Sequence, residues 1–524
     1  MKKIFLLIIM VLFPLISFSQ KGEATEQERV LLVYDSLNLA NAGEKNVDSL
    51  QRLLTSLGVK VDTVQDNAYL ENTLRDDVYT GVISFVNWSE KGLQSDYFRR
   101  DRKNFEGKKL HIGMGLDQTE QAGFAGSFRQ LSHRQYTLVH NDEAFQQLLD
   151  YQDQSMVLET EDGQLYGQLI SQELEEKKYP FGVIQGKNAF LPMYDTKGAV
   201  FLQSAELIQQ WLGKSSNYQP LLTFKGFSPL NDMEVANDFL SKINKMALYY
   251  TLSTTSINRN NDLLTYEIFT DILAKAQESA VIFLAVPAVN SADLNDGRVL
   301  QTIMTEQISL LVSHNIYPIG LSAPGYWNQD SQYRLDGLSF GKTVILEENP
   351  AVDDMHYRAQ DDRAPTYATS FYSLEESALD RVQWKEEQTY LSYLFPMPVS
   401  LAFNFPKDET EEKSVLAKIN ELKFDFSQSL DSQYTFELNT QTQRIAYTDG
   451  RFTLNGQGVS QFADSEQVRP LSNQYQGLFA GFFRRINTGL IIFIGSVLIL
   501  LVILFVRGNR NYRSKYVSRG GKRK

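Results

Sequence analysis

The chain has 524 residues, with 51 basic and 63 acidic side chains, a net charge of −12 and no cysteine. That acidic balance argues against nucleic acid or anionic lipid as a partner of the main body, and suits plain solubility or a cationic polymer. The absence of cysteine excludes disulfides, thiol nucleophiles and sulfur ligation of a metal, so a chain long enough for two or three domains must rest on its apolar core.

Residues 1–19 read as a secretory signal peptide. Lys2 and Lys3 precede the apolar run Ile4 to Ile16, and small residues follow at Ser17 and Ser19. From 28 to 213 the pattern is that of a flavodoxin-like parallel-sheet domain. Val30 to Val33 reads as a buried strand, and Val47, Leu50, Leu53, Leu54 and Leu57 recur at helical spacing up to the stop at Gly58. Val59 to Val64, Val82 to Val86 and Leu110 to Met114 read as further strands. The loop Asp35-Ser36-Leu37-Asn38 falls at the carboxyl edge where such sheets bind ligands, but it lacks the glycines of a phosphate or dinucleotide cradle.

Gly213 to Gln219 is a polar linker. After it, the strands expected at Leu221 to Phe224, Ala247 to Ser253, Val281 to Val286 and Pro318 to Ser322 alternate with helices at Met233 to Ile243, Tyr266 to Gln277 and Ile303 to His314. This second α/β unit, 219–395, has enough alternation for a barrel. Residues 347 to 390 are acidic and irregular, and read as a solvated excursion. Residues 396–468 form a small β-rich segment with strands at Ser400 to Asn404, Tyr434 to Leu438 and Arg444 to Tyr447, and a turn at Asp449-Gly450.

Ile486 to Val506 is 21 residues without a charge, about 31 Å as a helix at roughly 1.5 Å per residue, which matches a bilayer core of about 30 Å. The tail 507–524 carries eight basic residues and no acidic one. This predicts a single-pass protein of the cell membrane, with its ectodomain outside, a C-terminal transmembrane helix and a cytosolic tail.

Chemistry-bearing motifs are scarce. The five histidines, at 111, 133, 140, 314 and 356, include no pair four residues apart, and there is no Gly-x-Ser-x-Gly elbow.

Three segments carry a family likeness. They are Leu222-Thr223-Phe224-Lys225-Gly226-Phe227-Ser228-Pro229, Val281 to Asn290, and Leu321 to Tyr326. Their order resembles the polysaccharide-deacetylase-like proteins of the YdaL type, which include the deacetylase of Gram-positive Pel-type exopolysaccharide loci, over roughly residues 28 to 405. The resemblance implies an N-terminal α/β domain followed by a deacetylase-like (β/α) barrel. It also implies a divalent metal held by one aspartate and two histidines, with a carboxylate as base.

In this chain Lys225 and Gly226 stand at the family's aspartate pair, Ala285 and Val289 at its two histidines, and Ser322 and Gly325 at the glutamate and histidine of its later element, while Pro324 and Tyr326 are retained. Ala, Val and Lys offer a metal neither lone pairs nor negative charge. The barrel is therefore expected to be degenerate, with no catalytic residue, cofactor or metal.

The expected function is a membrane-anchored, extracytoplasmic, non-catalytic component of exopolysaccharide synthesis or export. It would bind polysaccharide or the membrane-bound synthase and export proteins, with Tyr326 and Trp327 as candidate sugar-stacking residues. The alternatives are an active carbohydrate enzyme, deacetylase or glycosidase, with an atypical carboxylate site, and a sensor or adaptor acting through the basic tail.

Overall fold

Strand β1 (Arg29–Tyr34) is apolar and buried along its middle, so it must lie inside a sheet rather than at its edge. It pairs in parallel with β2 (Lys60–Gln65) on one side and β3 (Gly81–Phe85) on the other. Helix α1 (Gly43–Ser56) forms the first crossover and is followed by Gly58, whose φ of 74° an L side chain would resist. Strand β4 (Lys108–Ile112) pairs with β3, and β11 (Asn188–Leu191) pairs in parallel with β4. Two helices lie between β4 and its neighbours in sequence, α2 (Asp96–Asn104) before it and the single turn α3 (Gln118–Gln121) after it. The computed structural model describes residues 28–37, 43–171, 177–257, 259–287, 298–325, 331–349, 363–364, 367–386, 391–426, 434, 436–448, 450–459, 501 and 504–507. The expected signal peptide and the tail beyond Arg507 lie outside them.

The expectation of a flavodoxin-like, wholly parallel sheet is corrected. Beyond β11 the ladder turns antiparallel, through β10 (Lys177–Gln185), β9 (Gln164–Ser171), β6 (Tyr136–Val139) and β7 (Phe145–Leu148). The physical reason lies in the connections: β10 returns to β11 through Gly186 and Lys187 alone, with Gly186 at φ 62°, and a turn that short joins only antiparallel strands. The remaining pair, β5 (Ser127–Arg134) with β8 (Gln152–Glu159), forms a separate two-stranded sheet. Helix α4 (Gly198–Trp211) packs on β10, β9 and β7.

The second half is a closed, all-parallel, seven-stranded barrel. Its strands, in order, are β12 (Leu221–Phe227), β13 (Tyr250–Thr254), β14 (Ala280–Ala285), β15 (Gly320–Pro324), β16 (Thr343–Glu347), β18 (Thr369–Glu375) and β20 (Val399–Asn404). β20 pairs with β12 and closes the ring. Helices α5 (Met233–Lys245), α6 (Leu264–Ala276) and α7 (Arg298–Ser313) are the crossovers of the first three strands. Asp232 starts α5 by accepting from Glu234 N at 2.9 Å and Val235 N at 3.3 Å.

The side facing the barrel axis is unusually polar. Ser253 on β13 and Ser322 on β15 are separated by β14, yet their hydroxyls meet at 2.5 Å, which they can do only across the interior. The Ser400 hydroxyl likewise donates to Thr223 at 2.7 Å. Parallel partners in register share a face, so Lys225 and Asn404, Pro324 and Glu347, and Glu375 and Ala402 continue this inward set at the carboxyl ends of the strands.

No regular crossover helix is described between β16 and β18 or between β18 and β20, and α1 and α4 from the first half cover that wall. The Ser49 hydroxyl lies 2.7 Å from both Tyr194 and Tyr372. Arg52 donates to Asp48 at 2.8 Å and to the Ser373 carbonyl at 3.1 Å, with its guanidinium 4.4 Å from the Tyr372 ring centre. In return the barrel half contributes β17 (Arg363–Ala364) to the free edge of β2 and β19 (Gln383–Trp384) to the free edge of β7. Each edge of the first sheet thus gains a two-residue strand, which pairs part of the backbone that an open edge presents. The described residues from Glu28 to Val459 belong to one compact unit, completed by the antiparallel sheet β21 (Phe436–Asn439), β22 (Arg444–Thr448), β23 (Arg451–Leu454) and β24 (Gln457–Val459).

The C-terminal transmembrane helix expected over 486–506 is also corrected, and with it the single-pass membrane localisation. Among the described residues no helix is long and apolar enough to cross a membrane. Within that range only Leu501 and Leu504 to Val506 are described, as helix, and a single turn at about 1.5 Å per residue falls far short of a bilayer core of about 30 Å. The rest of the range lies outside the described residues.

Candidate barrel-mouth site

Barrel enzymes carry their chemistry at the carboxyl ends of the strands, where side chains from several strands converge. In this chain that rim gathers Lys225 from β12, Ser322 from β15, Glu347 from β16 and Glu375 from β18, and Glu376 follows in a 3-10 turn. The Lys225 ammonium is 2.5 Å from Glu375 Oε1, with the two side chains 20% and 29% exposed. The Ser322 hydroxyl stands beside Glu347 and favours its carboxylate form. Behind Glu347 the hydroxyls of Ser253 and Ser322, both buried, share a hydrogen bond in which either can be the donor. Glu376 Oε2 is buried without a partner.

The charges oppose one another. Burial alone would pull the Lys225 ammonium down, but the carboxylates of Glu375, Glu347 and Glu376 outweigh it and hold Lys225 above the ordinary lysine value. Burial raises Glu347, against the pull of Lys225, and Glu375 adds to the rise. Glu376 is raised by burial as well. Lys225 is therefore a firmly charged ammonium set among carboxylates, two of which are held toward their neutral form.

Of the residues singled out from sequence, the fold brings Lys225 and Ser322 into this cluster. Ala285 ends β14 in register with Ser322 and brings only a methyl group. Gly226 sits at an irregularity in the β12–β13 pairing with φ 85° and open space where a Cβ would be, so its role is backbone shape. Gly325 belongs to the contact between the halves: a Cβ there would lie 2.6 Å from Arg52 Cδ and 2.7 Å from Asp48 Oδ1. Val289, Tyr326 and Trp327 lie outside the described residues. In the first half, Asp35 is occupied by the backbone N–H groups of Asn87 at 2.8 Å and Trp88 at 2.9 Å, stapling the loop after β3 to that after β1.

Glu347, Glu375 and Ser253 were not legible as site residues. The available signal was an acidic residue ending an apolar strand, as in Val344-Ile345-Leu346-Glu347. Residues 347 onward instead read as an acidic excursion.

The donor set does not suit a metal. Lys225 stands where the resemblance puts an aspartate ligand, and an ammonium has three donors, no lone pair and a charge that repels a cation. Among the described residues no group of three or more His, Cys, Asp or Glu could hold a metal ion.

No protein-family model and no curated protein matches the chain. Among solved structures it is similar to a family 4 carbohydrate esterase from Bacillus anthracis, at 12% identity and a TM-score of 0.21, over 40% of this chain and 82% of that one. The similarity is weak, and at that score it bears on neither the site nor the substrate.

Proposed function

We propose that this protein is a non-catalytic, deacetylase-like component of exopolysaccharide synthesis or export, which binds the polymer or the synthase and export proteins that handle it. The observation that carries this reading is the Lys225–Glu375 pair, 2.5 Å apart at the barrel mouth. The positive charge that a catalytic metal would supply is provided by a side chain fixed within the fold, and an ammonium has no vacant coordination site with which to polarise an acetyl carbonyl. The carbohydrate class of the ligand rests on the sequence resemblance. Tyr326 and Trp327, which follow Gly325 in the chain, are proposed to stack on sugar rings.

Calorimetric titration with N-acetylated and de-N-acetylated oligosaccharides tests the reading. Binding is expected for at least one, weakened by Trp327→Ala and by Glu347→Gln. No binding to either would remove the polymer reading.

A second reading, a carboxylate-dependent glycosidase, is favoured by one observation: Glu347 is held toward its neutral form beside Glu375, which pairs with Lys225. Inequivalent carboxyl groups are what an acid and its partner require. Release of reducing ends from the same oligosaccharides, lost in both Glu347→Gln and Glu375→Gln, would establish it in place of the first.

A further inference from the structure

The first half contains a second feature that the barrel-mouth reading does not use. A cleft of about 180 Å³ opens between the last turn of α2, the face of β4, the short helix α3 and the start of β11. Its volume lies below the roughly 300–1,000 Å³ of pockets for drug-sized molecules, so it suits a small group. Three cationic side chains line it, Arg102, Lys103 and Lys109, against one carboxylate, Glu120. Two further carboxylates, Glu106 and Asp76, act on Lys109 from beyond the lining.

Arg102 is 3% exposed. Its Nε donates to both Glu120 oxygens, at 3.0 and 2.9 Å, and its Nη2 donates to the Leu110 carbonyl at 3.4 Å. Its Nη1 is buried with no partner. A buried guanidinium N–H left unmade is costly, and in native proteins such a group calls for an explanation. His111, also on the wall, does not supply the missing acceptor. Its Nδ1 is 2.7 Å from the Ser84 hydroxyl and its Nε2 is 2.9 Å from the Met114 carbonyl, so both ring nitrogens are engaged. Burial, with Arg102 adding to it, holds this imidazole down at about 3, so it stays neutral and adds no charge.

Lys109 is held below the ordinary lysine value by burial and by Arg102, against the opposing pull of Glu120, Glu106 and Asp76. A negative group in the cleft would relieve this repulsion, and the unpartnered Nη1 belongs to a residue of the same wall. Thr119 and Asn188 complete the polar part of the wall, the Thr119 hydroxyl donating to Asp117 at 2.6 Å.

We propose that this cleft is a binding site for a small oxyanion, a phosphate or a carboxylate group, held by Arg102, Lys103 and Lys109. Guanidinium and ammonium groups recognise both through charge-assisted hydrogen bonds, and the two sources are separable by experiment. The full chain is titrated with inorganic phosphate in one arm and with glucuronate in the other, each against sodium chloride at matched ionic strength, following heat of binding and thermal midpoint. Saturable binding with a rise in the midpoint is expected in at least one arm: the phosphate arm identifies a phosphate or its ester, the glucuronate arm an acidic sugar.

Arg102 also anchors Glu120, so its removal endangers the fold. The informative variant is the double substitution Lys103→Gln, Lys109→Gln, which leaves that pair intact. It should weaken binding at least about tenfold, because it removes two charge-assisted partners. If neither anion exceeds chloride, or the double variant titrates like the parent chain, the site does not exist.

Discussion

Lys225 has three carboxylates in its charge environment, Glu375, Glu347 and Glu376, so its removal does more than delete one ion pair. Lys225→Ala leaves Glu375 unpaired and Glu347 without its counter-charge, and breaking a mostly buried pair in this way costs about 2–4 kcal/mol. The loss has a definite pH dependence. Glu347 is already raised in the folded state, so its burial weighs against folding once pH exceeds its unfolded value, and without Lys225 that penalty grows. Urea melts of parent and variant should therefore diverge as pH rises from 4 to 8 and converge below 4, where the carboxyls are neutral in both states. Gly325→Ala tests a separate point. Its Cβ would fall 2.6 Å from the buried Arg52 side chain, so the variant should lose about 1–3 kcal/mol by overpacking. A harmless Gly325→Ala would mean that the α1 contact is looser than described.

Elements differ in how far local sequence reveals them. The apolar runs of β1, β3, β13 and β14, and the helical spacing of α1, α5 and α6, are carried by residues close together, and periodicity finds them. The antiparallel strands of residues 136–185 are not revealed in this way, because residues such as Gln146, Gln164 and Gln168 leave weak alternation, and only pairing with distant strands makes them regular. β17 and β19 are two residues each and exist only as edge additions to the first sheet. β20 was legible as a strand at Ser400 to Asn404, but not as the one that closes the barrel, since closure is a long-range pairing with β12. The barrel-mouth site was half legible for the same reason: Lys225 and Ser322 sit in recognisable segments, whereas Glu347 and Glu375 become neighbours of Lys225 only through closure.

The sheet β21–β24 carries its own prediction. Glu437 on β21 accepts from Arg444 at 3.0 and 3.1 Å, from Lys342 at 2.7 Å and from Asn439 at 2.7 Å. Arg444, Lys342 and Asn439 bring it down to about 2 from the ordinary 4.5. A depressed carboxyl stabilises the fold above its unfolded value, and the benefit disappears as pH falls from 4.5 towards 2. Glu437→Gln should flatten the acid limb of the stability curve. The effect should shrink in high salt, because Arg444 and Lys342 are 63% and 49% exposed.

At the scale of the whole molecule, the halves share structural parts. α1 and α4 belong to the first sheet by sequence and to the barrel wall by packing, while β17 and β19 belong to the barrel half by sequence and to the first sheet by pairing. The two halves should therefore melt in a single calorimetric transition, and two resolved transitions would contradict this sharing. Arg52→Ala, which strands Asp48 beneath the barrel wall, should lower that one transition by about 3–5 kcal/mol instead of splitting it.

That the barrel carries Lys225, paired with Glu375, at its mouth and binds a polymer without cleaving it is open to proton NMR of an N-acetylated oligosaccharide mixed with the protein and a slight excess of zinc. Saturation transfer from protein to sugar is expected, with an acetyl signal that stays at constant area over days and no free acetate. Zinc-dependent growth of an acetate signal, abolished by Glu347→Gln or by substitution of one of the five histidines, would contradict it.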